Sequence, residues 1–324
     1  MHILVCGGAG YIGSHMSKLL ATSGFELTVL DNLSTGHLQA VKWGDFIEAD
    51  VRDANALDRA FTRKPVDAVM HFSAKSLVGE SVNHPELYFD NNVVGSRQLL
   101  DAMRRHSVER FIFSSTAAVY GTPETKVIAE DHPTRPINPY GETKLAVENM
   151  LQQYAAFGIR SIALRYFNAA GADSTGDIGE AHNPETHLIP NVLKSALSEG
   201  SNRLKIFGTD YPTHDGTCVR DYIHVSDLAQ AHFLALQHLD LTEGFNAFNL
   251  GNGAGFSVQE VLASCEQVIG KSIAHDIEGR REGDPAILVA DSHKAKSTLN
   301  WQPQYPEINT IIESAWNWHK NQAY

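Results

Sequence analysis

His2-Ile3-Leu4-Val5-Cys6, followed at once by Gly7-Gly8-Ala9-Gly10-Tyr11-Ile12-Gly13, is the stretch that decides the fold. The four residues after His2 form an apolar run short enough for a buried strand, and Ser14-His15-Met16-Ser17-Lys18-Leu19-Leu20 continues as a helix. Strand, glycine turn and helix in that order give the dinucleotide-binding fingerprint its meaning. Gly7 and Gly10 let the backbone turn tightly and approach a pyrophosphate, while Gly13 lets the helix pack close to the sheet. The helix start offers free N–H groups and a positive dipole end to phosphates. A second strand, Glu26-Leu27-Thr28-Val29-Leu30, ends in Asp31, where an acid is expected to bind an adenosine ribose. A carboxylate there repels a 2′-phosphate, so the expected cofactor is NAD rather than NADP.

Outward from that stretch, the 324 residues suffice for one large domain or two smaller ones. No apolar run approaches the roughly 18 residues needed to span a bilayer. The formal net charge of −12 disfavours nucleic acid and anionic membrane as partners, so an anionic substrate must be held by local arginines. The fingerprint strand follows the initiator methionine directly, so no signal peptide is expected. Cys6, Cys218 and Cys265 are far apart and form no C-x-x-C pair, which points to a reducing, cytoplasmic setting. No metal is expected. His182 and His187 are weighed as possible ligands, but no H-E-x-x-H spacing is present and both read as loop histidines.

The first half alternates strand and helix signals. Strands are expected at Asp45–Glu48, Ala68–His71, Arg110–Ser115 and Ile159–Tyr166, and helices at Ala54–Thr62, Leu87–His106 and Tyr140–Phe157. From about Ala170 the pattern loosens into a loop, Gly171–Asn183. A helix at Ile189–Leu197, a strand at Leu204–Phe207 and a helix at Val225–Leu239 follow. A strand at Ala247–Leu250, a helix at Val258–Ile269 and a last helix ending near His319 complete the chain. The expected fold is α/β: a Rossmann-type doubly wound parallel sheet over residues 1–169, with a smaller mixed α/β substrate-binding domain over 170–324. Segments near 219–250 are expected to return to the first domain. Ligands bind beyond the carboxyl ends of such strands, which singles out Asp50-Val51, Phe72-Ser73-Ala74 and Ser114-Ser115-Thr116.

Tyr140 and Lys144 lie four residues apart in Asn138-Pro139-Tyr140-Gly141-Glu142-Thr143-Lys144, on one face of a helix that Pro139 can start. An ammonium beside a phenol favours the phenolate, so the pair is expected to lower the tyrosine pKa from its usual value of ~10. A tyrosine so poised is a general acid/base for a sugar or alcohol hydroxyl.

Fingerprint, serine/threonine strand end and Tyr-x-x-x-Lys in this order resemble the extended short-chain dehydrogenase/reductase family over nearly the whole chain. Several further stretches are similar to its UDP-sugar 4-epimerases: Phe113-Ser114-Ser115-Thr116-Ala117-Ala118-Val119-Tyr120-Gly121, Leu164-Arg165-Tyr166-Phe167-Asn168, Val219-Arg220-Asp221-Tyr222-Ile223-His224-Val225, Arg280-Arg281-Glu282-Gly283-Asp284 and Val78-Gly79-Glu80-Ser81. The related dehydratases carry an Asp-Glu pair after the threonine; Ala117 and Ala118 stand there and cannot move protons. A non-catalytic NAD-binding protein of this class usually loses the Tyr or Lys, and this chain keeps both.

The resemblance implies an isomerase of galactose metabolism that interconverts UDP-glucose and UDP-galactose by transient oxidation at C4. UDP-xylose/arabinose and UDP-glucuronate remain alternative sugars. Tyr140, Lys144 and Thr116 are the implied catalytic residues. Gly7, Gly10, Tyr11, Ile12, Gly13, Asp31, Asn32, Ser34, Asp50, Val51, Phe72, Ser73, Ala74, Asn91, Lys144 and Phe167 are the implied NAD contacts. Asn168, His187, Leu188, Lys205, Phe207, Arg220, Arg281, Asp284 and Leu288 are the implied substrate contacts, the two arginines suiting a diphosphate. Three positions depart from the family: His187 replaces an asparagine, Ser76 a lysine that Lys75 could replace, and Cys6 a threonine. Leu288 borders the sugar end. A tyrosine there restricts the site and a small residue admits an N-acetyl group, so leucine leaves both open. The resemblance also implies a homodimer through the helices Leu87–His106 and Tyr140–Phe157.

Overall fold

Seven strands build the central sheet of the computed structural model: β1 (His2–Cys6), β2 (Glu26–Asp31), β3 (Asp45–Glu48), β4 (Ala68–His71), β5 (Arg110–Ser114), β6 (Arg160–Tyr166) and, far along the chain, Phe245–Leu250. Residues 1–198, 203–281 and 284–324 are described, so Glu282 and Gly283 of the Arg280–Asp284 motif lie outside the described residues. The order across the sheet is Phe245–Leu250, β6, β5, β4, β1, β2, β3. All pairings are parallel. Growth reverses direction between β1 and β4, the switch point at which such sheets bind ligands.

Strand periodicity sends alternate residues to opposite faces, and both faces are covered. Ile3 and Val5 join Met16 and Leu20 of the helix Tyr11–Thr22, together with Leu228 and Leu236 of the helix Val225–His238. Leu4 and Cys6 join Leu57, Leu99 and Val147 on the other side. Cys6 is fully buried there, a small residue in a small site.

The first-half strands fall within a residue of their expected bounds. The helix Leu87–His106 does not form as one piece. Pro85–Tyr88 is α-helical, Phe89–Val94 is a π-helical turn, and Gly95–Arg105 resumes the α-helix. The wide turn carries buried Asn92, whose amide bonds both backbone groups of Lys75 and the Thr143 hydroxyl. A short helix Val78–Asn83 precedes it.

A second core gathers Ile189, Val192, Leu193, Leu262, Ile311 and Ile312 from three helices. It is edged by short strand pairs: Asn168–Ala170 with Tyr222–His224, Leu204–Phe207 with His275–Glu278, and Val219–Arg220 between Phe256–Ser257 and Ile287–Leu288. Ala295 and Leu299 of the helix His293–Leu299, with Trp301 beyond it, pack on the first core rather than the second.

Candidate active site

The glycine loop closes over the carboxyl ends of β1 and β4. Gly7 has φ +83, and a Cβ there would meet the Ser73 amide nitrogen at 2.5 Å. Gly10 is different. Its φ is −80, and an added Cβ would come no nearer than 3.4 Å, to the Gly7 carbonyl. Packing within the chain therefore does not demand glycine at 10, and the helix start is left open to a close-approaching ligand. Ser73 Oγ is buried without a partner at the same place. These features fit a dinucleotide pyrophosphate.

Asp31 Oδ2 accepts from the Ala9 amide (3.0 Å) and Oδ1 from the Leu33 amide (2.9 Å), so it also pins the loop. Burial raises its pKa, and those two N–H donors oppose the rise. Asn32 donates to Asp50 (2.8 Å) and accepts from the Ser34 amide (3.0 Å). Arg52 holds the Asp50 carboxyl well below the usual range. Val51 is buried, Ile12 packs on the first core, and Tyr11 donates to the Gly171 carbonyl (2.7 Å). The Phe72 amide bonds Cys6, half-buried Ala74 follows, and Asn91 donates to Asn92. Lys75 pairs with Glu80 at 3.6 Å.

Asn138 caps the helix Pro139–Tyr154 by accepting from the Gly141 amide at 2.9 Å, and its first two turns present Tyr140 and Lys144. Both are buried. Lys144 Nζ donates to the Ser114 carbonyl (2.7 Å) and lies 6.0 Å from the Tyr140 ring centre. Thr116 follows just beyond β5, its hydroxyl accepting from the Ala118 amide at 3.1 Å. The expected downward shift of Tyr140 is corrected here. Burial raises its pKa, only partly offset by Thr116, and burial pushes Lys144 down to about 7 against the opposing charge of Glu148. Desolvation penalises both charged forms more than the pair gains in the protein's own field.

Sequence reasoning missed the support behind this triad. Ser115 donates to Glu148 (2.6 Å), which takes a two-pronged ion pair from Arg165 (3.0 and 2.5 Å). Arg165 also donates to the Tyr120 hydroxyl (2.8 Å). Only the length and apolarity of the surrounding elements hinted that charges here would be buried.

On the substrate side, Asn168 donates to the Asp221 carbonyl (3.0 Å). Arg220 pairs with Asp284 (3.0 Å), and the Arg281 guanidinium lies 3.9 Å over the Phe207 ring. Leu288 is in register with Arg220 and packs against the buried cluster of Ala117, Val119, Tyr120 and Ile128, as do Phe167 and Leu145. Lys205 is exposed on the Phe207 side of its strand and pairs with Glu278. Leu188 opens the helix Leu188–Leu197. His187 caps that helix, but its ring turns to Glu180 (2.7 Å) and Glu185 (3.1 Å). Burial opposes protonation of this imidazole, yet those carboxylates raise its pKa to about 10.

The profile of the NAD dependent epimerase/dehydratase family matches residues 3–251. The UDP-glucose 4-epimerase of Halalkalibacterium halodurans is 53% identical over 100% of this chain and 97% of its own. The crystal structure of UDP-glucose 4-epimerase from Brucella ovis in complex with NAD superposes with TM-score 0.94 at 48% identity, covering 98% of this chain and 97% of that one. The Bifidobacterium longum enzyme of the same name, in complex with NAD+ and UDP, has TM-score 0.94 at 37% identity, covering 99% of each. The chain belongs to the NAD dependent epimerase/dehydratase family.

Proposed function

We infer that the chain is an NAD-dependent epimerase interconverting UDP-glucose and UDP-galactose. The observation that carries this reading is the buried convergence of Tyr140, Lys144 and Thr116 at the end of β5. Full-length relatedness to UDP-glucose 4-epimerases supports it. Bound NAD would supply a reversible hydride acceptor for sugar C4, so that oxidation and reduction at that carbon leave no net change in the cofactor.

Gly7, Gly10 and Gly13 are assigned to the pyrophosphate, and Asp31 to ribose hydroxyls that a 2′-phosphate would displace. Tyr140 removes the proton from the 4-hydroxyl as C4 is oxidised and gives it back as C4 is reduced. Burial disfavours the phenolate and Thr116 offsets that only in part; the Lys144 ammonium, 6.0 Å from the ring centre, is assigned to add to that offset when the pair is engaged. Arg220 and Arg281 are assigned to the diphosphate. Ala117 and Ala118 supply no second acid or base, so the keto sugar is not dehydrated.

The cofactor half is taken as residues 1–169 with the returning segments, and the sugar half as most of the remainder. A homodimer is supported by exposed Leu87, Phe89 and Phe157 on the segments expected to pair. A cytoplasmic setting is supported by three cysteines that are all buried and unpaired. No helix among the described residues is long and apolar enough to cross a membrane. The deciding experiment offers UDP-galactose, UDP-N-acetylgalactosamine, UDP-xylose and UDP-galacturonate to the pure protein and follows each epimer. UDP-glucose formation is expected; its absence alongside turnover of another sugar overturns the assignment.

A further inference from the structure

We propose that Glu180, His182, Glu185 and His187 form a structural site for one divalent transition-metal ion of the zinc type. Each offers one ligand atom, and the four atoms lie within 4.8 Å of one another. Both imidazoles aim Nδ1 at the same oxygen, Glu180 Oε1, at 2.9 Å from His182 and 2.7 Å from His187. Glu185 Oε1 is 3.1 Å from His187 Nδ1. A tetrahedral ion with bonds of about 2.0–2.2 Å spaces its ligands roughly 3.3–3.5 Å apart. The contacts of 2.7–3.1 Å therefore open by roughly 0.2–0.8 Å, and a pair as wide as 4.8 Å closes by about 1.3–1.5 Å.

The donor set selects the ion. Two imidazole nitrogens with two carboxylates suit zinc, whereas magnesium and calcium take oxygen ligands and water. Two carboxylates also balance a 2+ charge.

A second observation points the same way. The Glu185 side chain is 4% exposed, and its Oε2 has no hydrogen-bond partner. Lys194 Nζ is 3.7 Å from that oxygen, beyond hydrogen-bond reach. Burying a carboxylate oxygen without a donor is costly, and a metal ion removes that cost. The Thr186 and His187 amides, at 2.8 and 2.9 Å, already fix the other oxygen, as supporting donors fix metal ligands. His182 and His187 are partly exposed, which leaves a way in.

Four protein ligands leave no open position for a substrate, the mark of a structural site. Its place explains its use. The His182 ring stands edge-on to Tyr11 of the glycine loop, and His187 caps the helix Leu188–Leu197. An ion here ties the segment 180–187 between the two halves of the candidate active site. The site stands whichever sugar is epimerised.

The test uses tag-free full-length protein stripped with chelator, incubated with Zn2+, gel-filtered and analysed for metal. About one zinc per chain is expected, with at least a tenfold loss in His182→Ala/Glu185→Gln. Zn2+ should raise the Tm of the wild type and leave that variant's unchanged. Occupancy below about one-tenth in the wild type, or equal zinc in both proteins, overturns the proposal. An equal rise in Tm with Mg2+ overturns the choice of ion. If the variant misfolds, Co2+ in the wild-type protein decides. Strong visible bands of a four-coordinate ion support the site, and the faint spectrum of the hydrated ion refutes it.

Discussion

Glu148→Gln preserves the volume of the side chain and removes its charge, which makes it the sharpest probe of the support behind Tyr140. Glu148 and Arg165 are 1% and 7% exposed, joined by contacts of 3.0 and 2.5 Å. Glutamine turns one acceptor into a donor facing a guanidinium, leaving a buried cation unbalanced. Breaking such a pair from one side costs about 3–5 kcal/mol, whereas replacing both partners by apolar groups is often neutral. Urea unfolding followed by circular dichroism should show that loss as a lower midpoint at unchanged slope. Glu148→Leu/Arg165→Met should recover most of it. Chemistry should respond as well. The Glu148 charge opposes the burial that pushes Lys144 down to about 7, so without it the ammonium loses its proton at lower pH. The alkaline limb of kcat/KM should then move to lower pH than in the wild type. A stability loss under about 1 kcal/mol, or a double variant as unstable as the summed singles, refutes the account of the pair. An unmoved alkaline limb refutes its electrostatic reach to Lys144.

Tyr140→Phe should fold and retain NAD while kcat falls by about 10²–10⁴, as for removal of a general acid/base; near-normal turnover removes Tyr140 from the reaction. Leu288→Tyr should lower kcat/KM for UDP-N-acetylglucosamine relative to UDP-glucose, by an amount of order 1–3 kcal/mol. An unchanged ratio shows that Leu288 does not border the sugar. Stability should fall on acidification between about pH 6.5 and 4, because burial lowers the pKa of His15, His224 and His232 to about 4. The unfolded chain binds protons in that window that the folded chain refuses, so the stability is complete above the unfolded value. Each group contributes a slope of at most about 1.4 kcal/mol per pH unit. His232→Gln should flatten the urea-midpoint profile over that range, and an unchanged slope refutes its assignment as a buried neutral ring.

What the sequence disclosed follows the range of the interactions involved. β1, the glycine turn and the helix Tyr11–Thr22 were legible because their causes are local: a run of four apolar residues after His2, and a φ that Gly7 alone tolerates cheaply. The helix Pro139–Tyr154 was legible through Pro139, whereas its Asn138 cap emerged only with the structure. Val219–Arg220 and Ile287–Leu288 are two-residue strands whose pairing joins residues far apart in the chain, so no periodicity announces them. The π-helical turn at Phe89–Val94 answers to Asn92 bonding across to Lys75 and Thr143, again a distant cause. Glu148 and Arg165 read as ordinary charged residues until helix and β6 bring them face to face. His182 and His187 were visible as candidates, but Glu180 and Glu185 turn them into a constellation only when the loop folds back.

The Tyr140–Lys144 pair marks the limit most clearly. Spacing of four residues fixes the angle between two side chains on a helix and says nothing about how deeply either is covered. Angle alone led to a lowered tyrosine pKa; depth reversed the direction, because water is withdrawn from both groups while Lys144 spends its best hydrogen bond on the Ser114 carbonyl. The protein's own groups thus bias the pair towards its neutral forms. The positive charge of a bound nicotinamide would push Tyr140 towards the phenolate and add to the partial offset that Thr116 supplies.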